Sequence, residues 1–185
     1  MLEIVFKKYK KEYDSILESF YPSLGSTGFQ ERNLTINFSK AYEKTYSKNK
    51  AISWFELQFG EDNKNHLDAI IIDLSENRIF LIESKRYSNP SSKFESVNRD
   101  IKRIMECSNY IHLGKERFEN FNNFEIYGVI LADVWFENNK KKEIYNLYRY
   151  KKMFIGKCDT SFEEYYALKT KKYEKYALLS YILKI

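Results

Sequence analysis

The stretch Leu67–Lys85, LDAIIIDLSENRIFLIESK, decides how this chain folds. It contains two dense β-type runs, Leu67–Leu74 and Arg78–Lys85, separated by Ser75, Glu76 and Asn77, and so reads as a hairpin. Both runs are apolar on both faces, which is the mark of strands inside a sheet covered on each side. Acidic residues open the first run at Asp68 and close the second at Glu83, two before Lys85. Alternation along a strand puts Glu83 and Lys85 on one face and Ser84 on the other. Asp68 joins that face only if the numbers of paired residues add to an odd total. A four-residue loop from Ser75 to Arg78 pairs Leu74 with Ile79 and sets Asp68 opposite Lys85; a three-residue loop turns Asp68 away unless a bulge restores it.

Working outward, Phe6, Tyr9, Tyr13, Ile16, Leu17 and Phe20 recur at helical spacing, and Pro22 with Gly25 closes that segment. Thr27 and Gln30 form a capping box for a second helix that runs to about residue 45. Ala51–Phe59 reads as a strand before the polar loop Gly60–Asn65. Ser92 and Glu95 form another capping box, opening a helix with Phe94, Val97, Ile101, Ile104, Met105, Ser108 and Ile111 on one face. Phe124–Trp135 returns to β character. The order is α-α-β-β-β-α-β, an α/β fold with a mixed central β-sheet flanked by α-helices. Beyond residue 137 the pattern is ambiguous: Ile144–Tyr150 suits strand or helix, and Thr160–Ile185 mixes helical signals with a final apolar run.

At 185 residues, with two prolines and no repeat or linker, the chain reads as one domain, 1–185. Hydrophobic residues at 43% and charged residues at 31% exclude a disordered composition. No apolar run approaches the roughly 20 residues of a membrane span, and the lysines after Phe6 are the reverse of a secretory signal, so a cytoplasmic protein is expected. Cys107 and Cys158 are too few for a disulfide framework or zinc knuckle. The net charge of +5 is mild, but lysines cluster at 7–11, 140–142, 151–152 and 169–175. Such clusters suit a polyphosphate partner, or else are solvated helix faces.

Three acid-x-Lys pairs occur, at Asp62/Lys64, Glu83/Lys85 and Asp100/Lys102, so the bare pattern is cheap. Context singles out Glu83 and Lys85, because charges entering a buried sheet cost energy unless they are paired or bind something. Asp68 and Glu83 on one face offer hard oxygen donors suited to Mg²⁺ or Mn²⁺, which would stabilise charge on a phosphate and activate water, with Lys85 orienting that water. The alternative is an Asp68–Lys85 ion pair with nothing bound, an expensive route to little stability. Glu31 adds a fourth residue: on a helical wheel it falls beside Leu34, Phe38, Ala41 and Tyr42, in the first turn of its helix.

These residues resemble the PD-(D/E)xK nuclease superfamily: a helix carrying Glu31, a strand carrying Asp68, a strand ending in Glu83-Ser84-Lys85, then a helix and another strand. Leu67 stands where the motif's eponymous proline would be. The resemblance covers roughly residues 26–135, the core, with the C-terminal third completing the domain and contributing to substrate binding. It implies a restriction endonuclease-like fold and Mg²⁺-dependent phosphodiester hydrolysis. Asp68, Glu83 and Glu31 would serve as metal ligands, the Ser84 carbonyl as a further ligand and Lys85 as the catalytic lysine. The implied partner is nucleic acid, double-stranded DNA first, with a homodimer suiting two cuts across a duplex. The setting would be restriction, defence or a mobile element. The alternatives are a structure-selective repair or junction nuclease and a non-catalytic module that binds nucleic acid or protein. Around the site, Glu56 and Gln58 read as a polar edge stripe or as contacts to a metal-bound water, His66 as a loop histidine and His112 as a helix end. Arg86, Lys93, Arg99, Lys102 and Arg103 are candidates to hold the nucleic-acid backbone.

Overall fold

The computed structural model describes residues 2–19, 31–46, 50–60, 65–87, 90–135, 164–169 and 176–185. Along the chain run α1 (Glu3–Ser19), α2 (Glu31–Tyr46), β1 (Ala51–Phe59), β2 (Asn65–Asp73), β3 (Arg78–Tyr87), α3 (Pro90–His112), β4 (Glu125–Trp135), β5 (Glu164–Lys169) and β6 (Tyr176–Lys184). The strands form one six-stranded sheet in the order β1-β2-β3-β4-β6-β5. Only β3 and β4 pair in parallel, and α3 makes the crossover that parallel neighbours require. This is the mixed α/β architecture expected from the element order.

The sheet is covered on both faces. Ile79 and Leu81 of β3 pack with Val97, Ile101 and Ile104 of α3, while Phe80 and Ile82 pack with α1 and α2. Burial on both faces is why this strand lacks a polar alternation. On the α1/α2 side, Phe38 lies 5.3 Å from Phe6 and meets Tyr9 edge-on at 5.7 Å between ring centroids. On the other side, Gly128 of β4 lets α3 approach: a Cβ there would stand 2.9 Å from Ile104 Cγ2. Cys107, on the buried face of α3, has its thiol pushed up to about 12 by burial, consistent with an inert core cysteine.

Three expectations are corrected. The hairpin turn is Leu74–Asn77, with Asp73 pairing Arg78, so paired numbers add to 151 and the register lies two residues from the expected one. The cause is the Asp73 carboxylate, which accepts from Ser75 N–H at 2.9 Å, Ser75 Oγ at 2.6 Å and Glu76 N–H at 3.2 Å and so starts the turn one residue early. Asn77 closes it at φ +51°, a conformation asparagine tolerates. Second, α3 begins at Pro90 rather than at Ser92, as suits a proline in a first helical turn. Third, His66 is an exposed residue of β2 opposite Gln58, not a loop residue. The final apolar run, whose pattern left its structure open, is strand β6, buried on both faces through Leu178, Leu179, Tyr181, Ile182 and Leu183. The Pro22–Gly25 stop, the Thr27–Gln30 box, Ile144–Tyr150, Cys158 and the lysines of 140–152 and 171–175 lie outside the described residues.

Asp133 of β4, in register with Arg86 of β3, is fully buried, and the Tyr13 hydroxyl of α1 donates to it at 3.4 Å. Burial pushes this carboxyl up to about 7, against the opposing pull of Arg86 and Tyr13. An acid raised on folding holds its proton more tightly in the folded state, so the contribution of Asp133 favours the fold most below the ordinary carboxylate range and declines as pH rises toward 7. Denaturant melts of Asp133→Asn should lose on the order of 2–4 kcal/mol of that pH-dependent decline. Glu83, raised in the same direction, keeps a residual slope in the variant. An unaltered pH–stability curve would show that Asp133 is charged at neutral pH.

Candidate functional site

The β2–β3 ladder ends at Ala69–Ile82. One step further the register would set Asp68 opposite Glu83, but the strands part there, and the Asp68 carboxylate instead accepts the Ser84 N–H at 2.6 Å. The total of 151 is odd, as a shared face requires, but the ladder stops before Asp68, which lines a cleft with Glu31 and Thr35 of α2 while Glu83 and Lys85 meet α3. On the other side of β2, β1 pairs through Phe55–Ala69 and Leu57–Leu67 but not at Glu56, which stands across from Asp68 at φ +54°. Phe55 and Ala69 pack toward α1 and α2, whereas Leu57 and Leu67 pack toward α3. Residues two apart on a regular strand share a face, so both strands roll at this point. The roll opens a cleft of about 280 Å³ lined by Glu31, Arg32, Thr35, Phe55, Glu56 and Asp68.

Helix α2 is tied to the end of β3 at two points. Glu31 Oε1 accepts the Arg86 N–H at 2.9 Å, and Thr35 Oγ1 lies 2.6 Å from Ser84 Oγ. On the opposite face, α3 supplies Asp100 and Arg103. Lys85 Nζ is 3.2 Å from Asp100 Oδ2, an ion pair without the alignment of a hydrogen bond. Arg103 meets Glu83 Oε1 through Nε at 3.1 Å and Nη2 at 3.0 Å, and its Nη2 also donates to Asp100 Oδ1. The site is thus held from both layers.

Its electrostatics are crowded. Burial, then the charges of Asp68 and Asp100, push the Glu83 carboxyl up to about 8 in spite of Arg103 and Lys85. Asp68 is raised by burial and by Glu31 and Glu56, against the Ser84 N–H and Lys85. Asp100 is raised by burial, against Lys85 and Arg103. Burial alone would lower Lys85, but Asp100, Glu31 and Glu83 together raise it, so it stays an ammonium. Five carboxylates (Glu31, Glu56, Asp68, Glu83, Asp100) share this region with three nearby cations (Arg32, Lys85, Arg103). Relief of like-charge repulsion is what a bound cation supplies. Among the described residues no group of three or more His, Cys, Asp or Glu forms a ready-made metal cage.

Glu31, Asp68, Glu83 and Lys85, far apart in sequence, therefore interact electrostatically at one end of the sheet, while only Glu31 and Asp68 line the cleft. Gln58 is exposed on β1, and His112 is the last residue of α3. Of the expected backbone-binding cations, Arg103 is committed to Glu83 and Asp100, and Arg86 lies half-buried beside Asp133. Arg99 and Lys102 are exposed, and the Lys93 side chain is outside the described residues. Asp100 is the residue the sequence reading passed over. Its spacing to Val97, Ile101 and Ile104 puts it on the apolar face of α3, a signal of the kind that singled out Glu31. Glu56 carried no such signal, because a backbone roll has no local sequence mark. Comparison with protein-family models, with curated proteins and with solved structures found no match.

A non-glycine residue in the left-handed region costs about 1–2 kcal/mol, and glycine gives back somewhat under 1 kcal/mol of that in chain entropy. Glu56→Gly should therefore hold or raise stability by up to about 1 kcal/mol in urea melts. A clear loss of stability would mean that Glu56 is not strained.

Proposed function

We propose that this chain is a metal-dependent nuclease of the PD-(D/E)xK type, with the restriction endonuclease-like form of the α/β fold, that hydrolyses phosphodiester bonds in DNA. The observation that carries the reading is the Asp68 carboxylate on the Ser84 N–H, next along β3 from Glu83, where β2 and β3 part, with both acids raised by burial and by neighbouring acids and Lys85 on the face of Glu83. Carboxylates crowded in this way are costly for stability alone and suited to a hard divalent cation. An endonuclease acting in restriction, defence or on a mobile element is the setting this chemistry suits.

Asp68 and Glu83, with Glu31 and the Ser84 carbonyl, are the donors that would hold Mg²⁺ or Mn²⁺, which supplies charge neutralisation at the scissile phosphate and a more acidic water. The chain's own groups do the rest. Glu31, held to the Arg86 N–H, keeps its second oxygen for the cleft. The Lys85 ammonium orients the attacking water; as that water's oxygen bonds to phosphorus its proton passes to bulk water, the bond from phosphorus to the leaving sugar oxygen breaks, and that oxygen takes up a proton from bulk water. Arg32, in the same cleft wall as Glu31, is placed to meet a neighbouring backbone phosphate.

Supercoiled plasmid, linear duplex, junctions, single strands and RNA should be incubated with Mg²⁺, Mn²⁺ or EDTA. Duplex DNA should be cut only with metal, and Asp68→Ala, Glu83→Ala and Lys85→Ala should each lower the rate about 100-fold or more. Cleavage that survives in all three variants sinks the assignment, and tight binding with no cleavage under any metal would make the protein a binding module. Metal ligands bind deprotonated, and Glu83 lies near 8 without metal. Calorimetric titration with Mn²⁺ should accordingly show proton release below pH 8 that fades above it, with affinity rising over the same range. A pH-independent titration would remove Glu83 from the ligand set.

A further inference from the structure

Lys85 and Glu83 stand two residues apart on one face of β3, and both are met by a single turn of α3. The contacts form a chain of alternating charge: Lys85 to Asp100, Asp100 to Arg103, Arg103 to Glu83. Asp100 is its hub. Its side chain is 3% exposed, one oxygen is taken by Arg103, and the other lies 3.2 Å from Lys85 Nζ. Arg103, with its planar fork, spans Glu83 and Asp100 at once, a geometry an ammonium could not match.

We infer that Asp100 is a positioning residue for Lys85: its carboxylate, braced by Arg103, holds the Lys85 ammonium at a set place beside Glu83. The inference rests on the nuclease reading for its catalytic consequence, but not for the positioning itself. A lysine has four rotatable carbons and loses considerable freedom when ordered, so an unanchored ammonium would sample several positions around the cleft. The acid that stands within ion-pair distance of Lys85 is Asp100, on the facing layer, while Asp68 accepts the Ser84 N–H and Glu83 meets Arg103. Catalysis that depends on where a proton donor stands is weakened by small displacements, so Asp100 supports the role of the lysine it holds. A merely structural chain of ion pairs would be replaceable by apolar groups of similar size.

The test uses the full chain with Asp100→Asn and Asp100→Glu, each checked for folding by thermal melts. The Lys85 ammonium, identified by its absence in Lys85→Arg, should give a persistent nitrogen–proton correlation signal at mildly acidic pH in the parent. That signal should vanish in Asp100→Asn and shift in Asp100→Glu. In the cleavage assay kcat should fall about tenfold or more in Asp100→Asn with KM changed less than about twofold, and Asp100→Glu should recover part of the loss. An unchanged ammonium signal, or wild-type or higher kcat in Asp100→Asn, overturns the inference. Should Asp100→Asn not fold, Asp100→Glu alone decides, since wild-type kcat and an unmoved signal there also overturn it. A parent protein that cleaves nothing with any metal defeats the nuclease reading, while the ammonium signal still rules on the positioning.

Discussion

Asp68 accepts the Ser84 N–H at the point where β2 and β3 stop pairing, and the rest of the site is arranged around that bond. A strand that leaves its neighbour exposes unpaired backbone groups, which are costly inside a protein. Here a side chain takes the place of the missing ladder bond. That substitution lets the two strands separate without an unsatisfied donor and brings an acid up to Glu83. Across β2, Glu56 leaves its own pairing and adopts a strained backbone, so that the cleft opens between β1 and α2.

The two helical layers then hold what the parting creates. From one face, α2 gives Glu31 to the Arg86 N–H and Thr35 to Ser84; from the other, α3 gives Asp100 and Arg103 to Lys85 and Glu83. Such a buried network adds little net stability, since the desolvation of each charge offsets its pairing. Its worth lies in fixing positions. The carboxyls bear the cost, with Glu83 and Asp133 both displaced far above their ordinary range by burial. The same displacement ties folding stability and cation binding to pH in opposite senses: raising the pH weakens the fold and strengthens the pull on a cation.

How much of this was legible depends on the kind of signal each residue carried. β1 matches its sequence reading from Ala51 to Phe59, because turn residues bound it on the far side and its apolar positions are local. β6 was ambiguous for the opposite reason: a strand buried on both faces has no period to distinguish it from a buried helix. The odd pairing total was anticipated, yet the register moved by two because Asp73 begins the turn with its own side chain. Glu31 was found by its place on an apolar helical face. Asp100 has the same kind of place on α3 and was readable by the same argument.

Local sequence patterns alone establish that β2 and β3 are buried, that the sheet is mixed and helix-covered, and that Glu31, Asp68, Glu83 and Lys85 are charges a core would not keep without reason. Those conclusions follow from periodicity and from the cost of burying charge, both local properties. Only the tertiary structure decided that β2 and β3 part at Asp68, that Glu56 rolls its strand open, and that Arg103 and Asp100 hold Glu83 and Lys85 from α3. These are partnerships between residues 15 to 20 positions apart or across neighbouring strands, and they are set by how twisted layers pack, which no single segment encodes.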